Sequence, residues 1–94
     1  MIIQLTDSFQ VYVSNHAVQQ MEKRQIKQTW IREVLINPIA IESDPKDTDL
    51  KWGFGKVDCQ DGLTRVLKVV YNDQVTPLKI VTIHFDRKAK KRFL

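Results

Sequence analysis

Cysteine is almost missing from this chain. Cys59 stands alone, so no internal disulfide can form, and a reducing, cytoplasmic setting is the expectation. Long apolar runs are missing as well. They reach only three or four residues, far short of the roughly 20 that a membrane-spanning helix needs. Glycine and proline, 3 of each, are too few for a collagen-like or low-complexity chain. The stretch from Met1 to Asp7 has neither the basic region nor the apolar core of a signal peptide. No Cys-x-x-Cys or His-Glu-x-x-His spacing marks a metal site. Gly53-Phe54-Gly55 lacks the third glycine of a phosphate-cradling loop, and no serine sits in a nucleophile elbow. Any catalysis is therefore expected to use neither metal nor organic cofactor.

What is present is an ordinary globular mix in 94 residues, 43% hydrophobic and 28% charged. That is one domain with a modest core, burying roughly 60–65% of its unfolded surface. The net charge of +4 hides an asymmetry. Residues 1–86 hold 10 basic residues against all 11 acids, and they read as a single α+β domain. Residues 87–94 read as a basic C-terminal tail carrying Arg87, Lys88, Lys90, Lys91 and Arg92 with no acid. Such a run suits a phosphate backbone or an acidic protein partner, or is simply a solvated end. Phe93 and Leu94 suggest that the end docks, onto its own core or onto a partner.

The hydrophobic pattern predicts one N-terminal strand, two helices and a mostly antiparallel sheet of about four strands. Phe9 to Val13 alternates and reads as the first strand. Ser14 or Asn15 caps a helix to about Arg24. Gln28 to Ile36 repeats Trp30, Ile31, Val34 and Leu35 on one face and stops at Asn37-Pro38. Ile39–Ser43, Lys51–Cys59, Thr64–Asn72 and Leu78–Asp86 read as strands. Gly53 and Gly55 suggest a bulge or a close backbone approach. Asp61-Gly62 suggests a tight hairpin in which both residues take positive φ. The two helices should cover one sheet face and leave the other for any chemistry.

Four residues are candidates for catalysis. His16 lies in the first turn of the first helix, on one stripe with Gln20 and Arg24. A helix N-terminus disfavours the cation, so a neutral imidazole there suits a general base, or else anchors the helix by packing. His84 shares strand alternation with Leu78, Ile80, Thr82 and Asp86. Asp86 would orient its ring, or the two form a solvated pair. Arg65 and Tyr71 fall on one face of their strand, where guanidinium and phenol would clamp a phosphate and donate a proton. A half-buried rim aromatic is the other reading of Tyr71. Metal-free RNA cleavage fits these residue types, because RNA supplies its own 2′-hydroxyl nucleophile.

His16-Ala17, Met21, Arg24, Ile26 and Trp30, followed by Val34-Leu35 before Asn37-Pro38, resemble the small prokaryotic family of domain of unknown function 4258. Arg65 to Tyr71, Ile80-Val81-Thr82 and Asp86-Arg87 resemble its second half. Gln20 departs from that pattern where an arginine is usual, and Lys27 where a serine cap is usual. The family is in turn similar to the RelE/ParE and BrnT toxins, which include metal-independent ribonucleases acting on mRNA and gyrase poisons. The resemblance implies a RelE/BrnT-like fold and a toxin-like ribonuclease of a toxin–antitoxin pair, bound by an acidic antitoxin. His16, Arg65, Tyr71 and His84 are then the catalytic candidates. Arg24, Arg87, Lys88, Lys90, Lys91 and Arg92 are the substrate-binding ones. The alternative is a non-catalytic module on a degenerate toxin fold that binds nucleic acid or protein. Convergence of His16, Arg24, Arg65 and Tyr71 on one concave site would favour the enzyme.

Overall fold

A computed structural model describes residues 1–93. Its elements run β1 (Ile2–Thr6), β2 (Phe9–Val13), α1 (Asn15–Arg24), α2 (Gln28–Ile36), β3 (Ala40–Ser43), β4 (Leu50–Asp58), β5 (Thr64–Asn72), β6 (Leu78–Phe85) and α3 (Arg87–Phe93). The strands form one mixed sheet in the order β1-β2-β6-β5-β4-β3. Among the described residues only β2 and β6 pair in parallel, Val11–Val13 against Leu78–Ile80. The α+β class holds, but the described residues form six strands and three helices, one strand and one helix more than the periodicity predicts. Among them no helix is long and apolar enough to cross a membrane.

The additional strand is β1. Ile3 and Leu5 are buried while Ile2 and Gln4 face out, a period of two that marks a half-buried strand. The additional helix is α3, formed by the basic run. Like charges one turn apart oppose a helix, so its stability comes from elsewhere. Asp86 accepts a hydrogen bond from the Ala89 N–H at 2.9 Å, satisfying a first-turn donor. Ala89 is buried, and the Phe93 ring lies 5.3 Å from that of Phe54. The end therefore docks onto its own core. Leu94, expected to join it, lies outside the described residues.

Alternation along β4 and β5 divides the sheet between two apolar layers. Leu67, Val69, Tyr71 and Val57 face α1 and α2, meeting Ala17, Met21, Ile31 and Val34. Phe54 and Val66 face α3 on the other side. Alternation fails in β6. A register shift opposite Val70 and Tyr71 turns Ile80 and Ile83 both into the α1–α2 layer, which corrects the expected face of Leu78, Ile80, Thr82 and His84. Thr82 and His84 lie opposite Val70 and Lys68 instead.

The parallel pairing of β6 ends at Ile80, where β2 gives way to α1. Ser14 continues it briefly, donating its N–H to the Ile80 carbonyl at 3.0 Å and its hydroxyl to the Val81 carbonyl at 2.8 Å. Beyond that the Gln20 side-chain oxygen accepts from the Ile83 N–H at 2.9 Å and the Thr82 hydroxyl at 2.6 Å. An amide side chain thus takes over from a neighbouring strand.

At the β4–β5 hairpin only Gly62 takes positive φ, at 81°. Asp61 instead accepts from the Leu63 N–H at 3.0 Å, correcting the expected Asp-Gly turn. Gly53 and Gly55 are the anticipated close approach. A Cβ on Gly55 would lie 2.7 Å from Cγ2 of Val34, and one on Gly53 3.3 Å from Cγ1. We expect Gly55→Ala to destabilise the fold by about 1–3 kcal/mol through overpacking, and Gly53→Ala by less. Urea melts of Gly55→Ala with and without Val34→Ala check this, because shortening Val34 should recover part of the loss.

Candidate nucleic-acid interface

Three chain ends meet at one corner of the sheet. Arg24 ends α1, Arg65 is the second residue of β5, and β6 runs through His84 and Phe85 into α3. Two grooves join there, sharing Arg24, Arg65 and Phe85 as a common wall. One passes between α1 and α3 over His84, Asp86, Arg87, Lys90 and Lys91. The other passes beneath the α1–α2 connection over Lys23, Lys27, Trp30, Cys59 and Asp61. Together they carry seven cations and two carboxylates, so the field across them strongly favours a polyanion.

Neither carboxylate is idle. Asp86 caps α3. Asp61 accepts both arms of the Arg65 guanidinium at 2.9 and 2.7 Å. That bond and the Leu63 N–H hold the Asp61 carboxyl down at about 2, and the Asp61 carboxylate pushes the Arg65 guanidinium further up. Both groups face water, where such a pair is screened and contributes little to stability. The Arg65 fork is therefore cheaply exchanged for another oxyanion. The Arg65 guanidinium also lies 5.9 Å from the centroid of Phe85, which fixes its position on the wall.

His84 is half-buried on the α3 side. Desolvation pushes its pKa below the ordinary 6.5, the cross-strand Lys68 ammonium adds to this, and the Asp86 carboxylate opposes it. The imidazole is thus neutral and proton-accepting at pH 7. No hydrogen bond joins Asp86 to the His84 ring; Asp86 Oδ1 accepts from the Ala89 N–H instead.

The remaining candidates lie elsewhere. His16 is exposed, eight residues before Arg24 and about 12 Å along the helix. Gln20, between them, is turned to β6. Tyr71 is buried and sits six residues along β5 from Arg65, about 20 Å away. Its phenol is pushed up by burial and by Asp73, and it faces the core. The expected clamp of Arg65 with Tyr71 is therefore not formed, and His16, Arg24, Arg65 and Tyr71 do not converge. Lys88 is exposed on α3 away from the groove lining. Arg92 is held by the Glu42 carboxylate through both of its terminal nitrogens. Among the described residues no three His, Cys, Asp or Glu side chains group as metal ligands.

Sequence reasoning missed Lys23, Lys27, Trp30, Asp61 and Phe85. Only Lys27 and Trp30 left a signal, the spacing of three that brings side chains together on a helix. Lys27, at the N-cap of α2, makes no side-chain capping bond. Its ammonium sits 5.5 Å from the Trp30 ring centroid.

A family model described as Domain of unknown function (DUF4258) matches residues 13–85. No curated protein and no solved structure matches the chain. The matched stretch contains Arg24, Arg65 and His84, whereas Arg87, Lys90 and Lys91 follow it.

A depressed pKa in the folded state fixes the sign of one pH effect. The unfolded chain binds the His84 proton first as pH falls. The contribution of His84 to stability is whole above about 6.5 and declines below it, toward the folded pKa. From about pH 7.5 to about pH 5 the wild type should lose more stability than His84→Gln. Parallel urea-melt curves for the two proteins would contradict the desolvated placement of His84.

Proposed function

We propose, for a chain that belongs to the DUF4258 family of domains of unknown function, that the basic corner groove binds RNA through its phosphate backbone. The observation that carries this reading is the gathering of Arg24, Arg65, Arg87, Lys90 and Lys91 from three elements along one groove. A merely solvated basic end would scatter its charges. Phosphate contacts of this kind give affinity without sequence readout, and the affinity falls steeply with salt. An acidic protein, such as the antitoxin expected of a toxin-like chain, would compete for the same cations.

Cleavage is the second reading, and His84 favours it. A neutral imidazole beside bound phosphates can take the proton from a 2′-hydroxyl, which then attacks the adjacent phosphorus. Arginines flanking the phosphate would stabilise the charge that develops. The departing 5′-oxygen also needs a proton, and neither Tyr71 nor His16 lines the groove to give one. Binding is therefore the reading that the groove supports best.

Lys88 and Lys90 belong to one helix and carry one charge, but only Lys90 lines the groove. Lys90→Gln should weaken binding of an RNA oligonucleotide and reduce the salt slope of log Kd by about 0.7 to 0.9. Lys88→Gln should do neither. Equal effects of the two substitutions would reduce the groove to a general charge effect and sink the reading. Incubation of the same complex in chelator decides the second one. Cut RNA that disappears with His84→Gln makes the protein a ribonuclease, and intact RNA leaves it a binding protein.

A further inference from the structure

The second groove differs from the first in adding Trp30 to the Phe85 that the two share. Trp30 and Phe85 meet edge to face, with centroids 6.2 Å apart and planes at 62°. Both are only partly buried, and both line the groove. The ammonium of Lys27, an exposed residue at the N-cap of α2, lies 5.5 Å from the Trp30 ring centroid. A partly exposed ring in a groove, with a long flexible side chain beside it, offers a surface for stacking. Arg24 and Arg65 stand at the junction with the phosphate groove.

We infer that this second groove holds an unpaired nucleobase stacked on Trp30, so that the RNA bound is single-stranded. The inference rests on the phosphate-binding reading of the neighbouring groove and adds what that reading leaves open. An arriving base displaces the Lys27 ammonium from the ring. The freed ammonium then meets the phosphate of the same nucleotide, while Arg65 exchanges Asp61 for the next one along. The base face is sequence-tolerant, since every base offers a π surface. A base inside a duplex is already stacked on its neighbours and cannot reach the floor. Phosphate cations alone would favour the duplex, whose charge density is higher.

The test uses the full chain and three probes of equal length, which are oligouridylate, an abasic ribose-phosphate oligomer and a duplex. Binding is followed by anisotropy at one low salt concentration. Oligouridylate should bind roughly tenfold more tightly than the abasic oligomer, as stacking one base implies. Trp30→Leu should bring that ratio close to one, and Trp30→Tyr, which keeps an aromatic face, should retain most of it. Thermal melting identifies any variant that fails to fold, and Trp30→Tyr keeps the comparison decisive if Trp30→Leu does. Equal affinity for oligouridylate and the abasic oligomer overturns the stacking site while leaving the phosphate groove standing. An unchanged ratio in folded Trp30→Leu also overturns it. Failure of all three probes to bind overturns both readings.

Discussion

Val34 lying on bare backbone is the contact on which the rest of the structure depends. Gly53 and Gly55 give β4 no side chain where α2 crosses it, and the valine methyls fill that space. The helix therefore sits closer to the sheet than any side chain on those positions would allow. Its depth fixes the N-terminal end of α2, where Trp30 reaches Phe85 at the edge of the core. A shift of a few tenths of an ångström at Val34 would be passed to that aromatic contact, because packed interiors transmit strain. The groove floor is thus held in place from β4, next to the edge of the sheet.

The parts of the fold set by local chemistry were legible in the sequence. Ser14 caps α1 with its hydroxyl 3.1 Å from the Ala17 N–H, and α2 ends before Pro38 as the restriction on pre-proline residues requires. The β2 strand, α2 and β5 fall on the residues that periodicity assigns. What was not legible depends on tertiary partners. The α3 helix has like charges along most of its length and owes its existence to Asp86, Phe54 and Val66, which no local pattern connects to it. The β1 strand is short and is defined by pairing with β2. The face of His84 turned on one register shift in β6, and a shift of one residue exchanges every side chain beyond it.

The same distinction runs through the candidate site. Charge and residue type picked out Arg24, Arg65, His84, Arg87, Lys90 and Lys91, all of which line the groove. They could not separate these from Lys88 and Arg92, whose direction is set by the helical turn and by Glu42. Nor could alternation show that Tyr71, on the same face as Arg65, is at the far end of a strand and inside the core. Sharing a face is a weaker condition than sharing a site. Two residues on one strand meet a common small ligand only when they are close along it.

The amide of Gln20 has a consequence for association. Among the described residues no strand lies beside the outer edge of β6 beyond Ile80, and one side chain of α1 satisfies the Ile83 N–H. Unpaired strand edges are templates for the addition of another chain. Here the template is shut by a helix that closes against it, so fraying of α1 and the opening of a sticky edge are a single event. An arginine at position 20 would offer only donors to an N–H that needs an acceptor. The residue that holds the helix down is therefore also the one that occupies this edge of β6.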